Sequence, residues 1–279
     1  MSAEQALLTL LMEKLSNNLL VLPTLPEIAV RVRQAADDPK INLGSMSEVI
    51  ALDTALAARI IKIANSAFIG RSVKVTTLNQ AVTRIGLSQV KNIATAMALE
   101  QLFVSHSPDI ESRMNQLWRE TVKVTAVAMA CLKFYLQKHK HDGLNLDTLT
   151  LAGLVHQIGM LPILAEAEKY PDTFGDAVFL QKALQDYSAP IGTAIMTYWD
   201  FADTFADVVK HCRSGQQRDS VSYTDFIRIG RISSGLWSDP QSAELLMNAW
   251  LQLGLIPKKD PLQDVTIASW TEEAKALFS

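Results

Sequence analysis

The sequence predicts an all-α protein, a two-lobed helical bundle. Apolar residues recur at i, i+3, i+4 and i+7 along most of the chain, while period-2 alternation is scarce. Cap residues, glycines and prolines punctuate these stripes at helical intervals. The stretch from Leu149 to Leu164 is apolar around nearly its whole circumference, as suits a central helix packed on every side by others.

Each element follows from its own signals. Ser2 and Gln5 offer a capping box ahead of the stripe Leu8, Leu11, Met12, Leu15 and Leu19, an N-terminal helix over about 1–18. Leu22-Pro-Thr-Leu-Pro26 breaks it, and Pro26 starts a second helix that buries Ile28, Val32, Ala35 and Ala36 and ends at Asp37-Asp-Pro39. Ser45 with Glu48 predicts a capping box for a short helix to Leu52, and Asp53 the N-cap of a fourth through Leu56, Ile60, Ile61 and Ala64. Asn65-Ser-Ala-Phe68 reads as a turn, with Gly70 available for positive φ. Leu78, Ala81, Val82 and Ile85 form a helix stopped by Gly86, and Ser88 caps the next, with Val90, Ile93, Ala94 and Met97 inward. Ser107-Pro108 opens the longest helix, through Ile110, Met114, Leu117, Thr121, Thr125, Ala128 and Leu132 to about Gln137. Lys138-His-Lys-His141 follows, where cations complement the helix dipole.

Asn145 or Asp147 caps the central helix, Pro162 requires it to bend or tighten, and Tyr170-Pro171 stops it. Gly153 and Gly159 are read as points of close backbone approach. Helices are then predicted at about Phe174–Tyr187, Ile191–Trp199 and Phe205–Cys212, followed by an exposed loop at Gln216-Gln-Arg-Asp219. Two more carry Phe226, Ile229, Ser233 and Leu236, and Leu246, Ala249, Trp250 and Leu253; Ser269 with Glu272 is read as the cap of a last one. The lobe boundary is placed near His106-Pro108.

Composition bounds the function. A chain of 279 residues, nearly half of them apolar, has enough length for a large core. Its net charge of −3, with acids and bases interspersed, argues against a nucleic-acid partner. The N-terminus lacks a basic signal-peptide region and no apolar run reaches the ~18 residues of a membrane span, so a soluble cytoplasmic protein without membrane contact is expected. Cys131 and Cys212 each fall on a helical stripe and are read as buried thiols rather than a disulfide.

Chemistry-bearing residues are few. His156-Gln157 is the only strongly polar pair for two turns of the central helix, and a Gln carbonyl is a poor transition-metal ligand. Only five histidines are present (His106, His139, His141, His156 and His211), so a two-metal hydrolytic site is hard to assemble. In Trp118-Arg-Glu-Thr121, Glu120 is a candidate ligand or base and Arg119 a candidate anion clamp, against a plainer reading of core Trp118 beside a solvated face. His211-Cys212 is read as core. Arg59 with Lys62, and Arg228 with Arg231, are helical neighbours able to bind an anion, but are assigned to solvated surface. Neither a Gly-rich phosphate loop nor Gly-x-Ser-x-Gly occurs.

Several segments together resemble the HDOD domain, the HD-related output domain of bacterial signalling proteins. They are Leu22-Pro-Thr-Leu-Pro26, Asp53-Thr-Ala-Leu-Ala-Ala-Arg-Ile-Ile-Lys-Ile-Ala-Asn-Ser-Ala67, Thr77-Leu-Asn-Gln-Ala-Val-Thr-Arg-Ile-Gly86, Leu117-Trp-Arg119 and Gly153-Leu-Val-His-Gln-Ile-Gly159. The resemblance implies an HD-domain-like fold over 19–215, with one lobe to about 107 and an HD-like lobe from about 108 that 216–279 extends. HD phosphohydrolases hold metals with separated histidines, a His-Asp doublet and a later Asp. Here the doublet position holds His156-Gln157, the first-histidine position Glu120, a later histidine position falls near Ser188, and a His-His pair falls at His211-Cys212. The resemblance therefore implies a non-catalytic regulatory protein with a degenerate metal pocket and no cofactor. Its partner would be a signalling protein, with room for a small ligand between the lobes. Trp118, Arg119, Glu120, His156, Gln157 and His211 are the candidate binding residues. Two alternatives stand beside it: a phosphohydrolase with a single metal on Glu120, His156 and His211, and a nucleotide-binding effector domain using Arg119.

Overall fold

A computed structural model describes Glu13 and residues 22–66, 68, 73–139, 143–171, 177–216 and 220–278. The expected helix over 1–18, apart from Glu13, together with Gly70, His141 and the loop tip at 217–219, lies outside them. Among the described residues the chain forms thirteen α-helices and no strand. The first five are α1 (Glu27–Asp37), α2 (Leu43–Ala51), α3 (Thr54–Ala64), α4 (Leu78–Ile85) and α5 (Leu87–Ala98). The long α6 (Pro108–Leu136) precedes α7 (Leu146–Val155), α8 (Met160–Lys169), α9 (Ala177–Tyr198) and α10 (Asp203–His211). The last three are α11 (Tyr223–Ser233), α12 (Pro240–Gln252) and α13 (Val265–Lys275).

The 29-residue α6 is the axis, with α7, α11 and α13 packed along it. Its predicted stripe is buried throughout, from Ile110 through Thr121 and Thr125 to Leu132. Helix α1 lies on α5, and α5 lies on α7, so buried apolar residues form one cluster from Ile28 to Phe278. Cys131 and Cys212 are buried free thiols. The apolar segment spanning α7 and α8 is mostly buried inside this bundle.

Several expectations are corrected. Helix α2 is capped by Asn42, whose Oδ1 accepts from the Ser45 amide at 3.0 Å; Ser45 supplies the donor, not the cap. Helix α5 starts directly after Gly86, whose φ of 93° turns the chain, so Ser88 sits inside the first turn. Helix α13 is capped by Asp264, which accepts from Thr266 and Ile267, rather than by Ser269 and Glu272. The two helices expected between 174 and 199 are the single α9, which carries Pro190 inside it. One buried face through Ala183, Leu184, Ser188, Ile191 and Ile195 outweighs the hydrogen bond that proline forgoes.

The central helix is likewise two helices. The chain tightens at His156–Gly159, where Ile158 donates to Val155 and Met160 to Gln157, each three residues back. Pro162 then falls in the first turn of α8, where its missing N–H costs little. A Cβ on Gly159 would lie 1.9 Å from the Ser188 carbonyl oxygen, and one on Gly153 2.5 Å from Thr125 Oγ1. Both glycines thus permit the close approach expected of them, which brings α9 and α6 onto this turn.

Candidate functional site

The tight turn between α7 and α8 forms part of a cleft of about 670 Å³. Helix α6 contributes Arg113, Gln116 and Glu120 at spacings that share one face. The turn contributes Gln157, α9 contributes Gln181 and Gln185, and the residues after α10 contribute Arg213. Arg231, near the end of α11, and the loop Gly235–Ser238 complete the wall.

His156 lies just beneath, 2% exposed. Its Nδ1 donates to the Gly153 carbonyl at 2.5 Å, because a carbonyl can only accept; the proton is therefore on Nδ1. Nε2 is left as a buried acceptor without a partner. Burial, with Arg231 and Arg213 nearby, pushes the ring's pKa down to about 3, so it is neutral at physiological pH. Gln157 is buried and donates to Thr121 Oγ1 at 3.4 Å.

Two sequence expectations about charge change here. Arg228 and Arg231 are 1% and 7% exposed, not solvated surface. Arg228 is fully engaged: Nε donates to the His211 carbonyl, Nη1 to that of Gln216, and Asp225 lies 3.9 Å away. In Arg231, Nη2 donates to the Leu236 carbonyl at 2.9 Å, while Nε and Nη1 have no partner. Arg213 donates to the Leu184 carbonyl; burial lowers the pKa of both Arg213 and Arg231, and the charge of Arg231 lowers that of Arg213 further. Glu120, the one carboxylate among the described lining residues, accepts from Gln116 Nε2 at 2.8 Å.

Of the six candidate residues, the structure gathers Glu120, Gln157 and, below them, His156. Trp118 packs instead against Phe103, with ring centroids 5.0 Å apart, and Arg119 is exposed outside the cleft lining. His211 faces Asp207 at 3.8 Å on its own helix. Arg113 and Arg213 were not among the candidates; Arg231 was weighed with Arg228 as an anion-binding pair and set aside as surface, although its place among Phe226, Ile227 and Ile229 is a signal of burial.

The donor set does not suit a pair of divalent cations. A metal at His156 Nε2 would stand beside two guanidinium groups and have Glu120 as the nearest lining carboxylate. Among the described residues no three of His, Cys, Asp and Glu converge as a metal-holding group.

The family model that matches this chain is that of the HDOD domain, over residues 22–214. A crystal structure from Shewanella amazonensis SB2B is 41% identical, with each chain fully covered and a TM-score of 0.94; its protein bears the provisional name of metal-dependent phosphohydrolase. An HDOD domain protein of unknown function from Geobacter sulfurreducens shares the fold at 18% identity and a TM-score of 0.65, over 97% of this chain and 98% of that one. An uncharacterized protein of Treponema pallidum is 26% identical over 138 residues, half of this chain and a quarter of that relative's length.

Proposed function

Because the chain belongs to the HDOD domain family, we propose that it is a non-catalytic regulatory protein of cytoplasmic signal transduction that acts by binding a protein partner. The observation that carries this reading is the presence of Arg213 and Arg231 in one cleft with Glu120 and Gln157, two of the positions that the resemblance matches to metal ligands of HD phosphohydrolases. Fixed guanidinium charge opposes a divalent cation there, and Gln157 in place of an acid removes a bridging carboxylate. The helical surface then carries the message by helix-on-helix recognition. The two-lobed division near His106-Pro108 belongs to this reading, with 216–279 extending the second lobe; the packing of α13 on α6 supports it.

One observation favours a second reading, a metal-dependent phosphohydrolase: the name borne by the Shewanella protein that is 41% identical throughout. Metal analysis of the purified chain, with hydrolysis assays on phosphomonoesters and cyclic dinucleotides in added Mn²⁺, separates the two. The regulatory reading expects substoichiometric metal and no turnover. Stoichiometric metal that His156→Ala removes, accompanied by turnover, would establish the second.

A further inference from the structure

We infer that the cleft is an anion site that holds the phosphate group of a small organic phosphate, with Arg231 and Arg213 as its cationic floor and Arg113 at its rim. The inference rests on the non-catalytic reading of the same cleft, since a hydrolytic metal and an anion would compete for one place.

Three observations carry it. Arg231 is 7% exposed and lines the cleft, and its Nε and Nη1 are buried without an acceptor, so an anion in the cleft would satisfy them once the side chain turns toward it. A guanidinium presents its donors in a planar fork that matches two oxygens of a phosphate, and leaving such donors buried and unpaired is costly. The charges do not cancel: the described lining residues supply three arginines against Glu120 alone. That surplus of two positive charges suits a dianion better than a single carboxylate. Arg213 and Arg231 both line the cleft, and both lie close enough to His156 to lower its pKa.

The rest of the cleft sets the ligand's size. A volume of about 670 Å³ lies in the range of small-molecule sites and far exceeds a lone phosphate. Gln157, Gln181 and Gln185 offer amide donors and acceptors to a polar body, and Trp237 offers an aromatic face. A phosphorylated metabolite of nucleotide size fits this combination.

The test uses the full chain, stripped with EDTA, titrated calorimetrically with inorganic phosphate and, separately, with AMP. Binding of AMP tighter than phosphate supports an organic phosphate. Equal binding overturns that part and leaves a free-anion site, and failure of both probes to bind at millimolar concentration overturns the inference altogether. Arg231→Gln should weaken binding about ten- to hundredfold, the usual worth of hydrogen bonds from a charged group. Because Arg231 is buried, Arg113→Ala at the exposed rim provides the second variant, with a smaller but measurable loss. Arg31→Ala, on the remote α1 where Arg31 pairs with Glu27, should bind as the unaltered chain does. Unchanged affinity in both cleft variants sinks the assignment. Phosphate released from AMP after Mn²⁺ is restored would count against the non-catalytic reading while leaving the EDTA binding data intact, so the two failures are distinguishable.

Discussion

His156 shows how one buried ring links the site to stability. The folded protein holds it neutral down to about pH 3, whereas in the unfolded chain it takes up a proton below about pH 6.5. Its contribution to stability is therefore complete above pH 6.5 and declines as the pH falls toward 3. Within that window the unfolded state binds one more proton, so stability should drop by about 1.4 kcal/mol per pH unit from this group alone. Urea unfolding of the unaltered chain and His156→Gln at pH 6, 5 and 4 isolates the effect, since the carboxylates are common to both. Parallel pH dependences would show that His156 protonates in the folded state. Asn65 makes a different use of a polar side chain: its Oδ1 accepts from the Val75 amide and its Nδ2 donates to the Val75 carbonyl, both at 2.8 Å. This clamp pins the segment between α3 and α4, so Asn65→Ala should cost roughly 1–3 kcal/mol in chemical denaturation. The Asn was legible in the sequence as a turn residue; its partner ten positions on was not, because nothing local specifies where that segment returns.

At the scale of elements, periodicity told where helices lie better than where they begin. The stripe of α6 is buried as read, those of α1, α3 and α4 are buried at Ile28, Val32, Leu56, Ile60, Ala64, Ala81 and Val82 and half-buried elsewhere, and Asp53, Ser107-Pro108 and Asn145 mark the starts of α3, α6 and α7. Caps were misread where two polar residues competed within one turn, as Asn42 did with Ser45, because either can present an oxygen to the free amides. The division of the central helix was illegible for another reason. Apolar residues continue through His156–Gly159, and the cause of the break is the close approach of α9, a contact between residues some thirty positions apart. Gly159→Ala tests that cause. A methyl group 1.9 Å from the Ser188 carbonyl oxygen cannot be accommodated without moving α9, so a loss of about 1–3 kcal/mol or more is expected in the urea midpoint. A variant as stable as the parent would mean that the turn has other room to relax.

For the whole molecule, the all-α class was legible because burial and period are written into every segment, whereas the cleft was not, because it draws on α6, the α7–α8 turn, α9, α11 and the residue after α10. The same convergence bears on how the chain unfolds. Specific bonds cross between the parts on either side of His106: Asn92 Nδ2 donates to Asp147 at 2.8 Å, Trp199 Nε1 to the Pro23 carbonyl at 2.9 Å, and Arg33 to the Asp200 carbonyl at 3.0 Å. Arg33 also lies 4.1 Å from the centre of the Phe201 ring, and α5 packs along α7 within the single apolar core. Two parts joined in this way should unfold as one cooperative unit. The sequence supplies a direct check, because all five tryptophans (Trp118, Trp199, Trp237, Trp250 and Trp270) fall after His106. Tryptophan fluorescence therefore reports the second part, while far-UV circular dichroism reports helices in both. The two urea transitions should superimpose, with the same midpoint and slope. A dichroism change that precedes or trails the fluorescence change would mean that the α5–α7 contact and its bonds are too weak to couple the two parts, leaving the first part to fold or open independently.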